Sequence, residues 1–309
     1  MSLPRARLIA NPSSGRERAA DLAQAIAAGL RPSYSGLEVL FTTGDGDAAQ
    51  AAAQAVADGC TTIFVAGGDG TVNEAVNGVV GAGALEQVRF GIVPLGTGND
   101  FAAALGIPAD VEPALDMLRR GRELRVDLGR VNGRTFLNTS GGGYIAEVSV
   151  NVTTQLKTIA GRLAYLIGGA QALLEYEPVR ATVHAQPGDL RLGLGLYAFA
   201  VCNSRLIGGG RLIAPEAIID DGLLDVCLIE SMTAVEFVAL ASKVANGDHV
   251  NDPRVRYIQA ATVSLEFERE IHINTDGEVL SATRCDYSVL PKAATFLCGD
   301  APFAAAAQT

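Results

Sequence analysis

Three short runs in this chain set glycines, hydroxyls and carboxylates directly after an apolar, β-rich segment. The first is Asn11-Pro12-Ser13-Ser14-Gly15, the second Gly67-Gly68-Asp69-Gly70-Thr71-Val72-Asn73-Glu74, and the third Gly96-Thr97-Gly98-Asn99-Asp100. Glycine at a strand-to-helix junction permits positive φ and lets backbone N–H groups approach an anion, and the helix N-terminus adds a favourable dipole. That is phosphate-binding chemistry. The plain alternative is a tight turn in which Asp69 or Thr71 merely caps a helix. One such loop is read equally well either way; three at successive strand ends of a parallel sheet would share its carboxyl edge, where ligands bind. No GxxxxGK[ST] occurs, the three lysines (Lys157, Lys243, Lys292) lie away from the glycine-rich turns, and no GxGxxG opens a helix. A Walker-type NTPase and a classical dinucleotide dehydrogenase are therefore disfavoured.

A second source of chemistry is Asp276-Gly277-Glu278, after the alternating residues 271–275. If that strand continues, the two carboxylates share a face. One could then accept a hydroxyl proton while the other positions the hydroxyl or a metal. Taken alone, Asp-Gly-Glu is also a common hairpin turn. Dense carboxylates around a triphosphate would repel it unless a divalent cation intervened, and oxygen ligands without His or Cys clustering favour Mg2+ over zinc.

The elements that must position these groups change character along the chain. Up to about residue 121, β-rich runs (residues 7–10, 37–41, 61–66 and 89–94) alternate with helical patterns. Ala48, Ala51, Ala52, Ala55 and Val56 share one helical face, as do Val72, Ala75, Val76 and Val79, and Val111, Ala114, Leu115 and Leu118. This alternation predicts a parallel sheet covered by helices on both faces. Beyond it, Leu192, Leu194, Leu196 and Ala198 alternate, as do Val263, Leu265 and Phe267, then Ile271 and Ile273, the period of half-buried antiparallel strands. Helices are expected at residues 162–176 and 234–245, and the Ala-rich tail from Ala301 is expected to fray.

The 309 residues suit two domains, with 49 % hydrophobic and 19 % charged residues, ample for buried cores. A net charge of −10 argues against nucleic-acid binding and against docking on an anionic membrane by global charge. No run is long and apolar enough to span a bilayer, and the N-terminus lacks a signal-peptide pattern, so a cytoplasmic protein is expected. Five scattered cysteines and three dispersed histidines suggest neither a disulfide framework nor a zinc site or Ser-His-Asp triad.

Asn11 to Gly15, Gly67 to Glu74, Pro94-Leu-Gly-Thr-Gly-Asn-Asp-Phe101 and Asp276-Gly-Glu278 together resemble the soluble bacterial diacylglycerol kinases, part of a lipid kinase family that includes sphingosine and ceramide kinases. The resemblance runs over nearly the whole chain, in order. It implies an α/β nucleotide-binding domain over residues 1–124, with a return of 290–309, and a mainly antiparallel β-sandwich domain over 125–289, with a cleft between them. It implies ATP along Asn11, Pro12, Ser13, Ser14, Gly15, Thr42, Gly67, Gly68, Asp69, Gly70, Thr71, Val72, Asn73, Glu74 and Thr97. By the same resemblance Asp69, Asp100 and Asp127 hold Mg2+ partly through water, and Asp221 with the carbonyls of Ile218 and Leu223 holds a second, structural Mg2+. Glu278 is favoured as the base, with Asp276 close behind. The implied reaction transfers the γ-phosphate of Mg-ATP to a lipid hydroxyl, and diacylglycerol, sphingoid bases, ceramide and phosphatidylglycerol all remain open. A lipid at the membrane surface is the expected partner, met by transient association, and a homodimer is allowed. The rival readings are an NAD kinase-like enzyme, which also carries a GGDGT loop, and a noncatalytic nucleotide-binding regulator.

Overall fold

The computed structural model describes residues 3–12, 16–144, 146 and 176–305. Most of the helix expected at 162–176 lies outside them. The chain forms two compact units: residues 1–128, 218–221 and 290–309, and residues 129–217 with 222–289.

In the first unit, β1 (Arg5–Ala10) pairs parallel with β2 (Gly36–Phe41) and β3 (Thr62–Gly67), and β3 pairs parallel with β4 (Arg89–Pro94). Their buried residues come in near-continuous runs, as in a sheet covered on both faces. Leu8, Ile9, Ile63, Phe64, Val65, Phe90 and Val93 are essentially inaccessible. The connections are helical: α1 (Arg16–Leu30), α2 (Asp47–Ala57), α3 (Asp69–Gly81), then the short α4 (Asp100–Ala104) and α5 (Val111–Arg120). The alanine face of α2 explains itself in its packing. A Cβ on Gly78 of α3 would fall 2.1 Å from the carbonyl oxygen of Ala49, so the two helices cross almost backbone to backbone. The partners in register at the strand ends, Ala10 with Phe41 and Ala66, and Gly67 with Pro94, bring the turns that follow to one edge of the sheet.

The segment 290–309 belongs to this unit, and Thr295 and Phe296 add a parallel partner to Arg89 and Phe90 of β4. Residues 125–128 and 218–221 group with the first unit, where the Asp127 N–H donates to the Ile219 carbonyl at 2.7 Å and the Lys292 N–H donates to Asp127 Oδ1 at 2.6 Å. The tail from Ala301 is not loose through Ala305: the Phe303 N–H donates to the Ala104 carbonyl, and the Phe303 carbonyl accepts from Ile219.

The second unit is antiparallel. β9 (Leu190–Cys202) and β14 (Thr262–Thr275) are long strands, and the lane between them is shared end to end by two short ones. β8 (Val179–Gln186) pairs with the first half of each, and β7 (Thr139–Gly143) with the second half. β12 (Leu224–Glu230) and β13 (Val255–Ala260) extend the sheet beyond β9, and β15 (Glu278–Leu297) pairs with β14. Val263, Leu265, Phe267, Ile271 and Ile273 are all buried, as their alternation predicts, but they lie on one strand whose register shifts between Glu266 and Ile271. Helix α6 (Ala234–Lys243) opens with a reciprocal capping box between Thr233 and Glu236. Among the described residues no helix is long and apolar enough to cross a membrane.

Candidate active site

The turns after β1, β3 and β4 touch one another. From the first, the Asn11 N–H donates to the Ala66 carbonyl at 2.9 Å, and Asn11 Nδ2 donates to Thr71 Oγ1 at 3.0 Å. Thr71 in turn covers Gly67, where a Cβ would meet its side chain at 2.8 Å. The second and third loops meet through glycine: a Cβ on Gly96 would lie 2.6 Å from the Gly68 Cα. Gly68 has an extended backbone (φ −94°, ψ −177°), and Gly96 is not left-handed either. These two glycines are therefore required by close approach rather than by positive φ.

Asp69 binds the two loops electrostatically. Its Oδ2 accepts the Asp100 N–H at 3.1 Å and its Oδ1 the Phe101 N–H at 3.0 Å, so the carboxylate sits on the N-terminal turn of α4. Asn99, left-handed at φ 55°, closes the third loop on itself: its Oδ1 accepts from the Gly96 N–H and its Nδ2 donates to the Gly96 carbonyl. Thr97 stands exposed at the loop tip. The N-cap of α3 is Gly68, which has no side chain to cap the helix, and its 13-residue dipole points toward the junction of the loops.

Beside this junction lies a cavity of about 630 Å3, a volume that suits a nucleotide-sized ligand. Asn11, Pro12, Thr42, Thr71 and Glu74, each singled out in the sequence, line it. Phe41, Thr43, Gly44, Asp45 and Ala48 line it too and were not anticipated beyond Thr42. The signal was present, since residues 42–46 are another Gly-containing turn between a β-rich run and a helix. That turn is fastened twice. Asp47 Oδ2 accepts from the Thr43 N–H and hydroxyl and from the Gly44 N–H, which together hold its carboxyl below the usual range. Glu74 Oε2 accepts the Gly46 N–H at 3.1 Å. Gly67, Gly68, Asp69, Gly70, Val72, Asn73 and Thr97 do not line the cavity. Val72 and Asn73 are each 2 % exposed on α3, so their side chains face the protein. Ser13, Ser14 and Gly15 lie outside the described residues.

The acidic pair of the second unit is arranged differently from a continuing strand. Thr275 pairs with Glu278, so the chain reverses at Asp276-Gly277, where φ is 46° and 96°. Both positive angles belong to a tight two-residue hairpin, the conformation Asp-Gly favours. Asp276 is therefore in the turn and Glu278 is the first residue of β15; they do not share a strand face. Asp276 accepts backbone N–H groups from Leu137 (2.6 Å), Asn138 (3.2 Å) and Thr139 (2.9 Å). Glu278 is paired with Arg134 of β6 (Arg134–Phe136), and both side chains are over two-fifths exposed.

Among the described residues no group of three or more His, Cys, Asp or Glu side chains could close around a metal ion. Asp69 already holds two N–H groups, Asp100 is 6 % exposed, and Asp127 is fully buried and holds the Lys292 N–H. Asp220 accepts the Ala305 N–H at 2.6 Å, while its neighbour Asp221 is half-buried. Ile218 and Asp221 belong to the first unit and Leu223 to the second.

Residues 5–131 match the diacylglycerol kinase catalytic domain, and residues 140–298 match the YegS C-terminal NAD kinase beta sandwich-like domain. A diacylglycerol kinase of Bacillus subtilis (strain 168) is 35 % identical over 278 residues, covering 89 % of this chain and 90 % of its own. One of Staphylococcus aureus (strain MRSA252) is 33 % identical over 275 residues, covering 89 % and 86 %. A crystal structure from Bacillus anthracis str. Sterne superposes with a TM-score of 0.81 at 28 % identity, covering 97 % of this chain and 96 % of that one.

Proposed function

Because this chain belongs to the diacylglycerol kinase family, we propose that it transfers the γ-phosphoryl group of ATP to the free hydroxyl of diacylglycerol or a closely related lipid, in the first case giving phosphatidic acid. The observation that carries this reading is the close approach of the loops after β3 and β4, with Asn11 joined to them, at a helix N-terminus capped by glycine beside a nucleotide-sized cavity, in a chain whose relatives over about nine-tenths of its length are named diacylglycerol kinase.

Phosphoryl transfer asks the protein mainly for positioning and charge. In this reading Thr42, Thr71 and Glu74 line the nucleotide's site, and the loops of Asp69 and Thr97 form the edge toward its phosphates. Asp69, Asp100 and Asp127 would hold Mg2+ through water, and the ion would supply charge neutralisation for the phosphates. Glu278 takes the proton of the lipid hydroxyl as its oxygen forms the new bond to the γ-phosphorus. The bond to the bridging oxygen breaks, and that oxygen leaves with the electron pair as ADP. The acceptor lies in a bilayer, so the enzyme works at a membrane surface in transient association.

The test is transfer from radiolabelled ATP to a panel of diacylglycerol, sphingosine, ceramide and phosphatidylglycerol in vesicles, run beside NAD. Label on diacylglycerol or a neighbouring lipid, lost in Glu278→Gln, is the expected result. Label on NAD and none on any lipid would replace this reading with the nicotinamide one, which the name of the second matching domain keeps in view.

A further inference from the structure

We propose that Asp276 is a positioning residue: its carboxylate locks the segment 137–139 and so sets the hairpin that presents Glu278, which alone accepts the proton. This rests on the kinase reading above and divides the labour within Asp276-Gly277-Glu278.

The contacts of Asp276 carry the inference. Its two oxygens accept N–H groups from three consecutive residues, Leu137 to Oδ2, Asn138 to both oxygens and Thr139 to Oδ1, at 2.6 to 3.2 Å. Its own N–H donates to the Thr139 carbonyl at 3.0 Å. Three N–H groups aimed at one carboxylate form an anion nest, an arrangement that favours its charged form. A proton on one oxygen would take acceptor capacity away from that nest. A general base must be free to take a proton and give it up, which this arrangement opposes.

The same segment is held from its other side. Asn203 Nδ2 donates to the Leu137 carbonyl at 3.0 Å, and the Asn203 and Ser204 N–H groups both donate to the Asn138 carbonyl. The segment therefore has almost no freedom. Arg134, which pairs with Glu278, lies three residues before Leu137, and Thr275 opposite Glu278 is bonded through its hydroxyl to Ser140 at 2.8 Å. Two short routes therefore lead from Asp276 to the backbone around Glu278. Glu278 itself has a partly exposed carboxylate on an arginine partner, which an incoming hydroxyl can approach.

The test compares the pH dependence of kcat for lipid phosphorylation in the wild type, Asp276→Asn, Asn203→Ala and Glu278→Gln, with the amide exchange of residues 137–139 followed by NMR. Asp276→Asn turns an amide NH2 toward the nest, and a misplaced base costs on the order of 10- to 100-fold in rate. The expected result is a loss of that size in kcat, a KM for ATP unchanged within about twofold, faster exchange at 137–139, and the acid limb of the profile kept. Asn203→Ala, which removes no carboxylate, should lower kcat in the same way and keep the limb, so the inference is tested even if Asp276→Asn does not fold. Glu278→Gln should abolish transfer across the whole pH range. An acid limb lost in Asp276→Asn, unchanged exchange at 137–139 in that variant, or an unchanged kcat in Asn203→Ala would each overturn the inference. A wild type that phosphorylates no lipid would instead sink the kinase reading.

Discussion

Gly96 rests on Gly68 so closely that a Cβ on Gly96 would stand 2.6 Å from the Gly68 Cα and 2.8 Å from Asn99 Oδ1. The nearer obstacle is backbone, which cannot swing aside as a side chain can. Gly96→Ala should therefore push the third loop off the second, at an overpacking cost of about 1–3 kcal/mol. The expected outcome is a lower melting temperature together with ATP affinity weakened more than tenfold. A control at Gly98, with Ala in its place, tests whether glycine content alone matters. Equal ATP affinity in Gly96→Ala and wild type would mean that the loop contact does not shape the nucleotide site.

Asp69→Ala removes the acceptor of two N–H groups at the start of α4. Loss of an N-terminal capping carboxylate costs about 0.5–2 kcal/mol, a modest effect on folding. Its effect on transfer should be far larger, because the same side chain is placed beside the phosphates in the proposed mechanism. The expected result is a folded protein that binds lipid vesicles like the wild type and no longer transfers phosphate. Retained transfer would confine Asp69 to joining the two loops.

How much of this was readable beforehand depended on whether a signal was local. β4 was anticipated to the residue, and the helical faces of α2 and α3 were legible because small or branched apolar residues recur at helical spacing and are buried as such. Helix α1 was missed although Ala23, Ile26, Ala27 and Leu30 are buried at that same spacing. The hairpin at Asp276-Gly277 is a different matter. Alternation at 271–275 is compatible with both a continuing strand and a turn, and only the pairing of Thr275 with Glu278 decides. The nest of Leu137, Asn138 and Thr139 joins residues more than 130 positions apart, and no local pattern encodes it. The tail misled for the opposite reason: an Ala-rich composition signals fraying, while its backbone groups found partners at Ala104, Ile219 and Asp220.

A buried histidine should make the second unit sensitive to mild acid. His249 is fully buried, and its Nε2 lies 3.0 Å from the Ile213 carbonyl. A carbonyl only accepts, so Nε2 carries the hydrogen and Nδ1 is the bare nitrogen, with no partner among the described residues. Burial lowers the pKa of His249 from 6.5, against smaller opposing effects of the Ile213 carbonyl and the Asp248 charge. The unfolded chain therefore binds a proton that the folded chain refuses as pH falls through about 6.5. Stability is complete above that pH and declines below it, until the folded-state pKa is reached. Melting temperatures measured from pH 7.5 to 5 should fall less in His249→Gln, which keeps a donor for Ile213 and does not titrate. Parallel curves for the two proteins would exclude His249 as the source.

Removal of residues 301–309 should destabilise the first unit, contrary to what their composition suggests. Phe303 bridges two elements through its backbone, donating to the Ala104 carbonyl at 2.8 Å and accepting from the Ile219 N–H at 2.9 Å. The Ala305 N–H satisfies Asp220, a carboxylate only 7 % exposed, and Ala304 is fully buried. Truncation would leave buried polar groups without these partners, at about 1–3 kcal/mol each. For a unit of this size each kcal/mol lowers the melting temperature by about 2–4 °C, so a drop of at least about 5 °C is expected. The loss should also reach the nucleotide site, because Ala104 ends the helix whose first turn Asp69 holds. ATP affinity should accordingly weaken in the truncated chain, and Asp220→Asn, which removes only the charge, should reproduce part of the thermal loss with a smaller change in ATP binding. A truncated chain that melts and binds ATP like the intact one would show that the tail's bonds are replaced by water without cost.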